Sequence, residues 1–101
     1  MTDNKSGSKK MEKAVALGYI PGKDGAPRVL ASGKGTIAEA IAEIAREHGV
    51  PFYQDAALVD SLINLQINAE IPIELYEAIA HVLAYVYSLD IREEKNKGAL
   101  N

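Results

Sequence analysis

No cysteine occurs in these 101 residues. A disulfide framework, a thiolate nucleophile and a zinc–thiolate centre are thereby excluded, and the chain has no need of an oxidising compartment. Long apolar runs are missing as well. Glu, His, Ser or Pro interrupts each apolar window well short of the ~20 residues a spanning helix requires. Residues 1–13 mix Lys, Ser, Gly and Asn and form neither a signal peptide nor a membrane anchor. Two histidines are too few for a histidine-rich metal site. Charge of one sign is scarce overall: 11 basic against 14 acidic residues leave a net −3, too weak a field to draw in nucleic acid or to insert into an anionic membrane. A soluble, cytoplasmic chain with no metal and no cofactor is expected.

What is present is an ordinary globular composition, 48% hydrophobic and 25% charged, enough for one small domain. A domain of this size buries roughly 60–70% of its unfolded surface, which allows a modest core and little room for a deep pocket. The charge is unevenly spread. Residues 1–35 hold seven basic and three acidic groups, residues 36–101 four and eleven, an asymmetry that points to an interaction surface.

Residues 1–12 carry few apolar groups and read as a flexible basic tail. From Lys13 to Tyr19, large Val15, Leu17 and Tyr19 alternate with small Ala14, Ala16 and Gly18, the period of a strand with one closely packed face. Pro21, Gly22, Asp24, Gly25 and Pro27 form a loop into a second strand, Arg28 to Ser32, antiparallel to the first. Thr36 and Glu39 have capping-box spacing and open a helix. Ile37, Ile41 and Ile44, with Ala40 and Ala45, make its buried face; Glu39, Glu43, Arg46 and Glu47 face water; and Gly49 ends it. Pro51-Phe52-Tyr53 is a short third strand, joined to the second by a right-handed parallel crossover. Asp55 caps a second helix with an apolar stripe of Leu58, Leu62 and Leu65. Ile71 to Leu89 is a last helix with Pro72 in its first turn and Leu75, Ile79, Val82, Leu83 and Val86 buried. The fold class is α/β: a small mixed β-sheet in the order β-β-α-β-α-α with helices packed on it, followed by a charged C-terminal tail over 92–101.

Catalytic chemistry finds little support in these residues. Gly33-Lys34-Gly35-Thr36 leads from strand to helix and could cradle a phosphate, making a small nucleotide- or phosphate-binding protein a remote alternative, but it lacks P-loop and dinucleotide spacing. His48 sits at a helix C-terminus, and His81 follows Glu77 at i, i+4, both ordinary surface placements. Glu39, Glu43 and Glu47 fall on a solvated face, and Ser32, Ser61 and Ser88 have no nucleophile-elbow context. Lys5, Lys9, Lys10 and Lys13 are a solubilising cluster that could also touch an acidic surface peripherally.

Three stretches combine into a recognisable pattern: Ala14-Val15-Ala16-Leu17-Gly18-Tyr19; Gly25-Ala26-Pro27-Arg28-Val29-Leu30-Ala31-Ser32-Gly33-Lys34-Gly35; and Ile71-Pro72-Ile73-Glu74-Leu75-Tyr76-Glu77-Ala78-Ile79-Ala80-His81-Val82-Leu83-Ala84-Tyr85-Val86-Tyr87. With Glu47-His48-Gly49-Val50-Pro51 between them, they resemble the cytoplasmic domain of the type III secretion export-apparatus switch proteins, the FlhB and YscU family, over residues 13–91. The resemblance implies a protein-binding module of a flagellar or type III export apparatus, recognising rod- and hook-type export substrates or docking on the export gate, and not an enzyme. It implies a substrate-protein site at Ala26, Pro27, Ala80 and Leu83, where the Ala-Pro loop meets the last helix. In the family an Asn-Pro-Thr-His motif ahead of the first strand cleaves itself. The matching positions here are Lys9, Lys10, Met11 and Glu12, which offer no amide nucleophile, so no self-cleavage is expected. Ala56-Ala57 stands where the family commonly has two prolines. An adaptor of the same fold that has lost substrate binding, using Tyr85 and Tyr87 for another partner, is the alternative.

Overall fold

A computed structural model describes the backbone of residues 11–100 and the side chains of residues 11–89. The alternating segment forms β1 (Lys13–Gly18), which pairs antiparallel with β2 (Arg28–Lys34). The connecting loop is pinned at Ile20, whose carbonyl accepts from the amides of Lys23 and Asp24 and whose own amide donates to the Asp24 carboxylate at 2.8 Å. The basic tail expected over residues 1–12 lies outside the described residues except for Met11 and Glu12.

The register gives each face of the hairpin a separate task. Ala14 opposes Gly33 and Ala16 opposes Ala31, so over these two pairs one face carries only small side chains. The register then slips, Leu17 opposing Val29, and Leu30 becomes the extra residue of a bulge. The slip puts Val29 on the face of Val15 and Leu17, where it is fully buried with Leu58, Leu62, Ile71 and Ile79. Covering a Val or Leu of this kind contributes about 1.5–3 kcal/mol. Leu30 stays on the other side, over Gly18, where an added Cβ would come within 2.7 Å of it.

Helix α1 (Thr36–Glu47) lies on the small-residue face, packed against both strands. Its buried residues are Ala38 and Ala42, while Ile37 and Ile44 are each 57% exposed, which corrects the expected isoleucine face. Proximity decides this: against alanine and glycine the helix comes closest with its own alanines inward, and the isoleucines are displaced to the rim. Gly33 makes the contact possible, since a Cβ there would overlap the Ile37 side chain. The expected capping box is not formed either. Gly35, at φ +61°, takes the N-cap position, no side chain caps the helix, and the Glu39 amide bonds to the Gly35 carbonyl. Thr36 begins the helix itself.

The third strand and its crossover are absent among the described residues: the sheet is two-stranded. The far edge of β2 is already taken at its start, where Val29 donates to the Ala69 carbonyl, Asn68 donates to the Val29 carbonyl at 2.6 Å, and Arg28 bridges to Glu70. Pro51, Phe52 and Tyr53 therefore find no open ladder beside β2, and the Val50 amide turns back to the Ala45 carbonyl. The fold remains a single α/β domain, with helices on both faces of an antiparallel hairpin.

Helix α2 (Ala56–Leu62) begins as expected, the Asp55 carboxylate accepting from the Leu58 amide at 3.1 Å, and it buries Leu58 and Leu62. Asp60, on its outer side, holds Lys13 at 2.8 Å, and this hydrogen bond and charge raise the Lys13 ammonium above its ordinary pKa. Pro72 precedes a 3-10 turn, Ile73–Leu75, instead of sitting inside an α-helical turn. Helix α3 follows (Tyr76–Leu100) and extends past the expected end at Leu89, through residues assigned by composition to a charged tail. No Gly or Pro stands between Leu89 and Gly98, and Glu93 and Lys97 have the i, i+4 spacing that favours continued helix.

Gly33→Ala is expected to lower unfolding free energy by about 1–3 kcal/mol through overpacking against Ile37. Urea denaturation of Gly33→Ala, Ile37→Ala and the double variant checks this: most of the loss should be recovered in the double variant, and simple additivity would contradict the contact. Asp55→Ala should cost about 1 kcal/mol in the same assay, as the Leu58 amide loses its partner.

Candidate functional site

The Ala-Pro loop is fixed to the root of α3 by one backbone bond: the Ile71 amide donates to the Pro27 carbonyl at 3.0 Å. Ile71 is itself buried beside Val29 and Ile79, so the loop is anchored to the core and not only to the surface. Ala26 is 5% exposed, and its methyl serves the packing of the loop. Pro27 keeps part of its ring uncovered.

On the helix side, Leu83 packs partly against the same core cluster and stays half-buried, while Ala80 is exposed. Of the four residues that the resemblance points to, Ala26 is buried, Pro27 and Leu83 are half-buried and Ala80 is exposed; Pro27 is tied to Ile71, and Ala80 and Leu83 stand one turn apart on α3. Tyr76, Ala80, Leu83 and Tyr87 follow one another at i, i+4, i+7 and i+11, so they share a stripe of α3 beside its buried face. Tyr76 and Tyr87 are exposed, and Ile73, in the preceding 3-10 turn, is the most uncovered large apolar side chain among the described residues, at 72%. Such a stripe offers shape and apolar contact, with hydroxyls only at the tyrosine tips.

A second feature was not legible in the sequence. An open depression of ≈ 470 Å³ is lined by Met11, Phe52, Tyr53, Gln54 and Tyr85. Tyr53 and Tyr85 meet edge to face with ring centroids 5.5 Å apart, and the Arg46 guanidinium lies 5.6 Å from the centroid of Phe52. The period-two reading of residues 51–53 concealed it, because these aromatics serve as wall and not as strand. Tyr85 lies off the face of α3 that carries Ile79, Val82 and Val86, and that offset is the one trace the depression leaves in the residue pattern.

The remaining candidates resolve into structural roles. The Gly35 amide donates to the Glu12 carbonyl at 2.9 Å, tying the strand-to-helix turn to the start of β1. His48 closes α1 as its C-cap residue, with Nδ1 3.0 Å from the Ile44 carbonyl oxygen, and His81 is exposed on α3. Among the described residues no three His, Asp or Glu side chains converge as metal ligands would, and no helix is long and apolar enough to cross a membrane. Ala56 and Ala57 form the first turn of α2, so the alanine pair sits in helix.

Comparison with known proteins agrees with this fold. The chain is 44% identical over 87 residues to the protein YlqH of Bacillus subtilis, covering 86% of this chain and 92% of that one. It is 43% identical over 74 residues to the flagellar biosynthetic protein FlhB of Aquifex aeolicus, covering 72% of this chain but 21% of the relative. It is 37% identical over 73 residues to the hypersensitivity response secretion protein HrcU of Ralstonia nicotianae, again covering about a fifth of that protein, 20%. Among solved structures, the PscU C-terminal domain superposes with a TM-score of 0.71 at 27% identity, over 76% of this chain and 99% of that domain. Residues 11–86 match the family described as "FlhB HrpN YscU SpaS Family". That span takes in the hairpin, all of α1 and α2, and the exposed α3 stripe as far as Leu83, and the chain therefore belongs to the FlhB, HrpN, YscU and SpaS family.

Proposed function

We propose that this chain is a cytoplasmic protein-binding module of a flagellar or type III export apparatus, and that it makes and breaks no covalent bond. Its binding surface is the region where the Pro27 edge meets Ala80 and Leu83, and its partners are short apolar segments of rod- or hook-type export substrates, with docking on the export gate as the associated role. The observation that carries this reading is the bond from the Ile71 amide to the Pro27 carbonyl, at 3.0 Å, which joins a conformationally restricted proline to the base of a helix with an exposed apolar stripe. Family membership supports the setting, since relatives carry flagellar-biosynthesis and secretion names.

Recognition of this kind relies on a preformed surface. Pro27 has a restricted φ, and Leu83 is braced by the core, so little ordering entropy is lost when a segment docks. The area is small, and affinity will be correspondingly modest and release fast, as passage through an export gate demands. Self-cleavage has no chemical basis at Lys9, Lys10, Met11 and Glu12: no side-chain amide is available to attack its own carbonyl, and no proline strains the bond.

Leu83→Glu should reduce capture of rod or hook subunits by about fivefold or more relative to wild type, a loss on the order of 1 kcal/mol. Ala80→Glu, at an exposed position that leaves the core intact, should do the same with an unchanged circular dichroism spectrum. Equal capture by wild type and both variants would refute the surface. Intact-mass spectrometry of purified chain after prolonged incubation should show one full-length species, and a break between Lys9 and Lys10 would overturn the inert reading.

A further inference from the structure

Helix α1 carries a second apolar surface, on the opposite side of the hairpin from the core and independent of the Pro27–Leu83 region. Ile37, Ile41 and Ile44 stand at i, i+4 and i+7, so they form a single row. Their spacing is that of a face meant to be covered, yet Ile37 and Ile44 are each more than half exposed and Ile41 is only partly buried. The small-residue face of the hairpin takes Ala38 and Ala42 instead. Leu30, equally exposed, lies over Gly18 on this same side of the sheet.

The charge beside this row has one sign. Glu43 and Glu47, both exposed, run along one edge of it beyond exposed Ala40, while Glu39 falls on the far side of the helix from the isoleucines. The one basic residue of α1, Arg46, is turned toward the Phe52 ring. An apolar row bordered by carboxylates is complementary to an apolar row bordered by cations. We infer that α1 is a docking site for a basic amphipathic helix of another protein, one with apolar side chains at i, i+4 and i+7 and Lys or Arg along the adjoining edge.

Two other occupants fit less well. A second copy of this chain, packed antiparallel about a twofold axis across this face, would bring carboxylate row against carboxylate row. Residues 1–10 of the same chain supply Lys5, Lys9 and Lys10 but only Met1 as an apolar residue, so they cannot cover three isoleucines.

The test uses the full-length chain, labelled with nitrogen-15, and a synthetic peptide of about 18 residues with leucines at i, i+4, i+7 and i+11 and lysines at their flanks. Amide shifts should be confined to Leu30 and the segment 37–47. Ile44→Asp, on an exposed position, and the double variant Glu43→Gln with Glu47→Gln should each weaken binding by about tenfold, added salt should weaken it further, and His81→Gln, exposed on α3, should leave it unchanged. A peptide of scrambled order that binds as tightly as the designed one overturns the proposal. So does failure to bind at millimolar peptide, or unchanged affinity in Ile44→Asp. A wild-type dimer in light scattering that Ile44→Asp dissolves would assign the face to a second copy. Shifts in the α1 amides on replacing Lys5, Lys9 and Lys10 by Gln, without peptide, would assign it to the chain's own N-terminal segment. Either result refutes a separate partner.

Discussion

Val29 is held from three directions, and the positions of the other elements follow from how it is held. Its side chain enters the core because the bulge at Leu30 turns it to the face of Val15 and Leu17. Its amide and carbonyl bond to Ala69 and Asn68 on the far edge of β2. The next bond along, from Ile71 to Pro27, carries the chain directly into the 3-10 turn and α3. One residue therefore couples strand register, core packing and the placement of the last helix. The same bonds occupy the edge on which a third strand would have paired, so the two-stranded sheet and the exposed α3 stripe have a common cause.

A second constraint is steric. Ala14, Ala16, Ala31 and Gly33 form a face with almost no side-chain height, and a helix approaching it is selected for its smallest residues. Ala38 and Ala42 win that contest over the isoleucines of the same helix. The hydrophobic effect favours burying isoleucine over alanine, but that gain is available only where the opposing surface leaves room, and here it does not. The result is a domain whose core lies on one side of its hairpin and whose unspent apolar surface lies on the other.

Exposed apolar side chains recur on both α1 and α3, Ile37 and Ile44 on the first and Tyr76 and Tyr87 on the second. The ion pairs are exposed: Lys13 with Asp60 and Arg28 with Glu70 tie elements together at the rim, where such pairs contribute little stability. In the proposed role, a shallow apolar stripe on a braced helix would suit segments that must be accepted and released, because affinity there scales with a few anchors and can stay low. Separate surfaces on α1 and α3 would let one partner be held while another passes.

Local chemistry was readable without coordinates. The strand alternation of Val15 and Leu17, the turn residues from Pro21 to Pro27 and the Asp55 cap depend on neighbours within a few positions and stand where the sequence puts them, while of the expected leucine stripe Leu58 and Leu62 lie in α2 and Leu65 falls beyond its end. The family pattern also lies in the linear order of residues. Tertiary structure alone decided which face of α1 is buried, that residues 51–53 line a depression with Tyr85 instead of pairing, and that Gly35 displaces Thr36 as the cap. These outcomes turn on competition for one surface or one strand edge between segments distant in sequence, and periodicity records the candidates for a contact without ranking them.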